Sequence, residues 1–301
     1  MRVVELSGGV GGARMARGLA AVEGVELTVI VNVGDDTENH GLAISPDIDT
    51  VIYTLANEEG DLGWGRRNDT FHFNDELARF GMDNTFKLGD LDLALKVYRT
   101  NELRRSVPLS KVTEAIAHSF GLTAAVIPAT DDRLRTFVRV DDGWISFQEY
   151  FVSRRHRDEV HEIRFEGAEI SRPAPGVLES IASADIVVIA PSNPPLSIWP
   201  ILAIPGVREA VLDHPHVTAV SPLIGGKSVK GPADRVLVSL GLPPGNDGVD
   251  IAYDGLIDRL VIDRSDDGEV TSREGLEFYS THTLMKDLGA AKRLAQEVIG
   301  Q

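Results

Sequence analysis

Apolar residues in this chain gather into short runs separated by glycine- and proline-rich breaks, and the runs alternate between strand and helix periodicity. Val3 to Leu6 is a β-rich run. After Ser7-Gly8-Gly9-Val10-Gly11-Gly12 the spacing changes, and Met15, Leu19 and Val22 share one helical face. That succession predicts a strand, a glycine turn and a helix. A second strand, Leu27 to Val33, ends in Gly34-Asp35-Asp36. From Pro46 to about Gly121 the pattern turns mainly helical, with Asp47 or Asp49 near one start, Asp90 before Leu91 to Arg104, and Ser110 before Val112 to Phe120. Ala124 to Ile127 reads as a strand, and Leu134 to Val140 with Trp144 to Phe151 forms a hairpin about Asp142-Gly143. The α/β alternation then resumes: helix Gly176 to Ile181, strand Ile186 to Ala190, a helical stretch near Val207 to Leu212 and strand Val217 to Val220. The tail from Leu284 to Val298 reads as a closing amphipathic helix.

Such alternation predicts an α/β fold, a doubly wound Rossmann-like parallel sheet with an inserted helical subdomain at about 46–121 and a β-hairpin. The whole is expected as one domain over 1–301. Ligands of open parallel sheets sit beyond the carboxyl ends of the strands. The glycine loop, Gly34-Asp35-Asp36, Pro191-Ser192-Asn193-Pro194 and Ser221-Pro222-Leu223-Ile224-Gly225-Gly226-Lys227 should therefore face one crevice.

Composition narrows the chemistry. With no cysteine among 301 residues, thiolate nucleophiles and cysteine-ligated metal centres are excluded, and a cytoplasmic location is the expectation. Ile186 to Ile204 is the longest apolar stretch, and its four prolines rule out a membrane span. A formal charge of −16 argues against nucleic acid or anionic lipid as partners. An anionic small molecule remains open to such a protein, provided backbone N–H groups and a divalent cation supply local positive potential.

The glycine loop supplies the first requirement: a strand precedes it, a helix N-terminus follows, and closely spaced glycines let the backbone approach a phosphate. It is not a regular dinucleotide fingerprint, because Arg14 stands where the third small residue belongs. Nor is Gly226-Lys227-Ser228 a P-loop, since Ser221 occupies the position of its first glycine. That loop is either a ligand contact or a turn with a solvated lysine. Asp35, Asp36, Asp47 and Asp49 supply hard oxygen ligands suited to Mg²⁺, or else serve as turn and cap residues. Trp64, between Gly63 and Gly65, is either a ring presented for stacking or a core residue. No His-Glu-x-x-His or Ser-His-Asp arrangement is apparent.

Taken in order, Ser7-Gly8-Gly9-Val10-Gly11-Gly12, Asn32-Val33-Gly34-Asp35-Asp36, Ser45-Pro46-Asp47-Ile48-Asp49-Thr50, Gly63-Trp64-Gly65, Leu88-Gly89-Asp90 and Ala190-Pro191-Ser192-Asn193-Pro194 resemble the CofD family. These are the 2-phospho-L-lactate transferases, whose actinobacterial members are phosphoenolpyruvate transferases. The likeness runs almost end to end, through Phe147-Gln148-Glu149, Ser221-Pro222-Leu223-Ile224 and Thr283-Leu284-Met285. It implies a Mg²⁺-dependent transfer from an enolpyruvyl- or lactyl-diphosphoguanosine to the terminal ribityl hydroxyl of the deazaflavin Fo, with release of GMP, in coenzyme F420 biosynthesis. Carried onto this chain, it implies Fo at Asp49, Lys87 and Trp64. Gly8, Gly9, Gly11, Gly12, Ser192, Asn193 and Ser221 would hold the nucleotide, Asp35 and Asp49 would be catalytic and bind the metal, and the protein would be a homodimer. The competing expectations are a non-catalytic nucleotide-sugar-binding regulator of the YvcK type and an NAD-dependent dehydrogenase.

Overall fold

Arg2–Ser7 (β1) is buried from Val3 onward because strands flank it on both sides: Glu26–Val31 (β2) and Ile186–Ile189 (β4). The computed structural model describes residues 1–60, 63, 65–83, 85–268 and 275–300. Adding Ala125–Pro128 (β3), Val217–Val220 (β5), Arg259–Asp263 (β6) and Glu277–Thr281 (β7) completes a seven-stranded sheet in the order β7-β6-β5-β4-β1-β2-β3. Every neighbouring pair in it is parallel. Because parallel strands are covered on both faces, β4 reads as a continuous apolar run and β5 is buried throughout although it carries Thr218. The doubly wound parallel sheet is thus as expected, though β6 and β7 extend it at an edge where no strand was anticipated.

The order fixes the position of the ligand crevice. From β1 the chain builds outward through β2 and β3, then returns to the other side of β1 and builds outward through β4 to β7. The reversal lies between β1 and β4, so the loops leaving these two strands diverge and open a gap at their carboxyl ends.

The region 46–121 holds four helices, Pro46–Leu55 (α2), His72–Arg79 (α3), Asp90–Arg104 (α4) and Leu109–Ser119 (α5), after Gly9–Ala20 (α1). Ile48, Val51 and Ile52 of α2, Leu95 of α4, and Val112 and Ile116 of α5 join the same apolar cluster as the sheet. By contrast, α3 buries only Asn74 and is held by its ends. Asp90 accepts from the amides of His72 and Phe73 at the start of α3, while Asp69 accepts from those of Leu91 and Asp92 at the start of α4. Asp90 was expected to cap α4; its carboxylate instead serves α3, so the two helices are capped reciprocally.

The expected hairpin, Arg135–Val140 with Gly143–Ser146, belongs to a three-stranded antiparallel sheet completed by Glu162–Glu166. Its second strand stops at Ser146 and does not run on to Phe151. Glu149–Ser153 forms a π-helical turn, and Tyr150 is buried in a small second cluster with Val138, Val140 and Ile145. No helix among the described residues is long and apolar enough to cross a membrane.

A buried carboxyl also lies in the sheet away from the crevice. Glu5, in the middle of β1, is fully buried and neither carboxyl oxygen has a hydrogen-bond partner. Burial pushes its carboxyl well above the ordinary range, with the Ser7 hydroxyl opposing. Folded Glu5 therefore keeps its proton where unfolded Glu5, with a pKa of about 4.3, has lost it. Across that window stability falls as pH rises; below it both states are protonated and the penalty vanishes. Glu5→Gln is expected to be more stable than wild type by a margin that widens as pH increases from 4 towards 8. Parallel denaturation midpoints for the two proteins over that range would show that Glu5 does not titrate on unfolding.

Candidate functional site

A cleft of about 890 Å³ opens at the gap between β1 and β4. Its floor is where the two diverging loops are stapled together: the Gly8 amide donates to Ser192 Oγ at 3.2 Å, and the Ser192 hydroxyl donates to the Gly8 carbonyl at 2.7 Å. Gly8, Gly9, Val10 and Gly11 line the cleft at the start of α1, where first-turn amides lack helical partners. That turn contains no acidic residue of its own. The carboxylate comes from α2, since Asp47 Oδ1 accepts the Gly9 amide at 2.7 Å.

The glycines are not interchangeable. Gly9 adopts φ +67° with open space around the position of a Cβ, as a residue beside a ligand would. A Cβ on Gly11, by contrast, would lie 2.2 Å from the Pro191 carbonyl oxygen. Gly12 does not line the cleft as expected: it packs behind the loop, where a Cβ would meet Ser7 Oγ at 2.3 Å. Gly11→Ala is therefore expected to destabilise the fold by about 1–3 kcal/mol, because two backbones must move apart. Gly9→Ala should lose about 1–2 kcal/mol, the cost of a left-handed non-glycine residue. Chemical denaturation of both variants decides the point. If Gly11→Ala unfolds with the wild-type midpoint, the contact with Pro191 is not limiting.

Behind the glycine loop lies a group of carboxylates. Asn32 ties two of its segments together, accepting from the Gly34 amide at 2.8 Å and donating from Nδ2 to Asp47 Oδ2 at 2.9 Å. Gln148 donates to the Asp35 carbonyl at 2.6 Å, and the Thr136 amide donates to the Gly34 carbonyl at 2.7 Å, so the small antiparallel sheet braces this turn. Asp35 Oδ1 and Asp36 Oδ1 are buried without a hydrogen-bond partner. Burial, then the charges of Asp47 and Asp36, push the Asp35 carboxyl well above the ordinary range. Asp36 is pushed up to about 7 and Asp47 to about 6, in each case chiefly by burial. Carboxylates that repel one another in a desolvated place are stabilised by a cation. No cluster of three or more His, Cys, Asp or Glu side chains in a metal-holding arrangement occurs among the described residues. Two carboxylates are nonetheless a common protein share of a Mg²⁺ shell completed by waters and phosphate oxygens.

Asp49 lines the same cleft but sits in a different environment. Its Oδ2 accepts from Lys96 Nζ at 2.6 Å and Arg99 Nη1 at 3.0 Å, and its Oδ1 accepts from Arg99 Nη2. Burial would raise its pKa, but Arg99 and Lys96 overcome this and hold the carboxyl below the ordinary range. Lys96 also pairs with Asp92, which accepts from the Tyr53 hydroxyl. The result is a buried network of two cations and two carboxylates, closed by a phenol.

The remaining expected residues are distributed around the walls. Lys87 lines the cleft, exposed and without an ion pair among the described residues. Phe71, Phe86, Phe147 and Phe151 also line the cleft, and the last two stack with centroids 5.3 Å apart. Asn193 and Ser221 also line the cleft. Asn193 Oδ1 caps the following turn at Leu196, and its buried Nδ2 lacks a partner, whereas Ser221 donates to Asn246 and receives the Leu223 amide. Trp64 lies outside the described residues. Lys227 is not on the cleft: its loop is a tight hairpin fixed by Asp266 to the amides of Gly225 and Gly226, and the exposed lysine pairs with Asp234 at 3.5 Å. Lys96, Arg99 and Tyr53 carried no sequence signal for the site.

The match to known proteins follows this architecture. The family model for the 2-phospho-L-lactate transferase CofD matches residues 3–299. The chain belongs to the CofD family. A CofD-family phosphoenolpyruvate transferase from Streptomyces coelicolor is 42% identical, covering 99% of this chain and 97% of the relative. A 2-phospho-L-lactate transferase from Methanopyrus kandleri is 41% identical with the same coverage. Among solved structures, a protein of the UPF0052 family from Bacillus halodurans superposes with a TM-score of 0.65 at 17% identity, over 99% of both chains, which shows the shared fold. These relatives support a transferase function for this chain.

Proposed function

We propose that this CofD-family protein transfers a phosphoenolpyruvyl unit, with 2-phospho-L-lactyl as the alternative, from its diphosphoguanosine carrier to the deazaflavin Fo. The terminal ribityl hydroxyl attacks the phosphorus that bears the small acid. A new phosphorus–oxygen bond forms, the bond to the GMP phosphate breaks, and the hydroxyl proton is lost. The product is a phosphodiester of (dehydro) coenzyme F420-0. The observation that carries this reading is the meeting, in one cleft at the switch point, of a glycine loop, a repelling carboxylate group and a wall bearing Lys87 and aromatic rings.

The residues present fit Mg²⁺, with Asp35 and Asp47 as the better-placed carboxylates, because Asp49 is already neutralised by Lys96 and Arg99. A bound Mg²⁺ would supply neutralisation of charge on the phosphoryl oxygens. The chain itself positions: the glycine loop holds phosphate, Asn32 and Gln148 fix the Asp35 turn, and Asp49 and Lys87 face the acceptor side. Phosphoryl transfer is dominated by such positioning and charge neutralisation.

The test is incubation with Fo, Mg²⁺ and each donor in turn, reading GMP release and the product mass. Release of GMP with appearance of a phosphodiester carrying the enolpyruvyl group is expected; a saturated product reassigns the acid to phospholactate. Nucleotide binding without GMP release would favour the regulatory reading.

A further inference from the structure

Arg14 breaks the dinucleotide fingerprint, and the fold gives it a place. It lies on α1 just beyond the glycine loop and lines the same cleft as Gly9, Gly11 and Asn193. Its guanidinium reaches only the Met285 carbonyl, at 3.5 Å, and makes no ion pair among the described residues. Arg17, on the same helix, pairs with Glu59 at 3.7 Å. In a chain with 46 acidic and 30 basic residues, a half-buried arginine without a carboxylate partner is a cation kept available. Lys230 lines the cleft nearby; burial and the Arg14 charge depress its pKa, so the two like charges repel. The buried Asn193 Nδ2 has no hydrogen-bond partner among the described residues. The Arg14 guanidinium and the Asn193 amide, two donors beside a glycine loop, suit an anion with several oxygens.

We propose that Arg14 is a specificity-determining residue whose guanidinium binds the second phosphoryl group of the nucleotide, so that the cleft distinguishes a diphosphate from a monophosphate. This rests on the nucleotide-donor reading above. A planar guanidinium suits phosphate because it can donate two parallel hydrogen bonds, which the small residue of a dinucleotide fingerprint cannot do.

The experiment is calorimetric titration of wild type, Arg14→Ala and Arg14→Gln with GDP, GMP and inorganic pyrophosphate at fixed Mg²⁺. Both variants should lose about tenfold or more in affinity for GDP and for pyrophosphate, as when a charge-assisted contact is removed, and keep GMP affinity within about twofold. Glutamine preserves most of the side chain's packing, so a loss shared by both variants at unchanged melting temperature is not a folding effect. Equal losses for GDP and GMP, unchanged GDP affinity, or a wild type that binds neither GDP nor pyrophosphate would overturn the assignment. Wild type that binds pyrophosphate in an Arg14-dependent way, but prefers no guanine nucleotide, would refute the guanine donor and leave Arg14 as a diphosphate ligand.

Discussion

Asp49→Asn is expected to lower the stability of the fold by about 3–5 kcal/mol, the usual effect of removing one partner from a buried ion pair. The carboxylate of Asp49 is the counter-charge of two cations that are themselves buried, Lys96 and Arg99, the latter with no exposed side-chain surface. Asparagine keeps the size and one oxygen but removes the charge, so Arg99 would be left with the field of Asp36, and Lys96 with Asp92. Desolvation makes that residue of positive charge costly. A metal-ligand role alone predicts a different result: turnover falls while the denaturation midpoint stays near wild type. Denaturant unfolding of Asp49→Asn, Arg99→Met and the double variant separates the two. A double variant more stable than the sum of the single losses marks a coupled pair. A midpoint for Asp49→Asn within about 1 kcal/mol of wild type would return this residue to the metal site.

The same contrast explains what the sequence made legible. β1, the glycine loop and α1 are contiguous, so a strand run, four glycines within five residues and a helical face announce them together. The carboxylates of the second motif are likewise visible as types. Their charges are not, because the residues that decide them come from far along the chain: Lys96 and Arg99 lie 47 and 50 positions after Asp49. Spacing cannot report such pairing. Asp90 failed as a predicted cap for a related reason, since its carboxylate reaches back to the amides of His72 and Phe73. Trp144 to Phe151 reads as a hairpin strand because it follows the Asp142-Gly143 turn signal, but beyond Ser146 the chain coils into a π-helical turn that buries Tyr150 and lets Gln148 reach the Asp35 carbonyl. Edge position hid β7: Glu277–Thr281 packs only one neighbouring strand, so its residues are half-buried and its apolar signal is weak.

Asp35→Asn should act on turnover where Asp49→Asn acts on stability. Asp35 Oδ1 is buried with no hydrogen-bond partner among the described residues, and burial together with the charges of Asp47 and Asp36 outweighs the opposing charge of Arg135 in raising its pKa. Removing its negative charge therefore relieves repulsion, and the variant should fold at least as well as wild type near neutral pH. That loss of repulsion is also a loss of cation affinity, since the same mutual field is what would draw Mg²⁺ to Asp35 and Asp47. Turnover per folded molecule is expected to fall by on the order of a hundredfold or more, the usual consequence of losing charge stabilisation at a transferring phosphoryl group. Raising Mg²⁺ should restore part of the rate by mass action if the site is weakened and not abolished. Asp47→Asn should behave alike in rate but lose stability, because Asp47 also receives the amide of Gly9 and the side chain of Asn32. The measurement is GMP release against Mg²⁺ concentration for both variants, beside their denaturation midpoints. An Asp35→Asn protein that folds and turns over at the wild-type rate with the wild-type Mg²⁺ dependence would remove Asp35 from the metal site and leave Asp36 and Asp47 as its candidates.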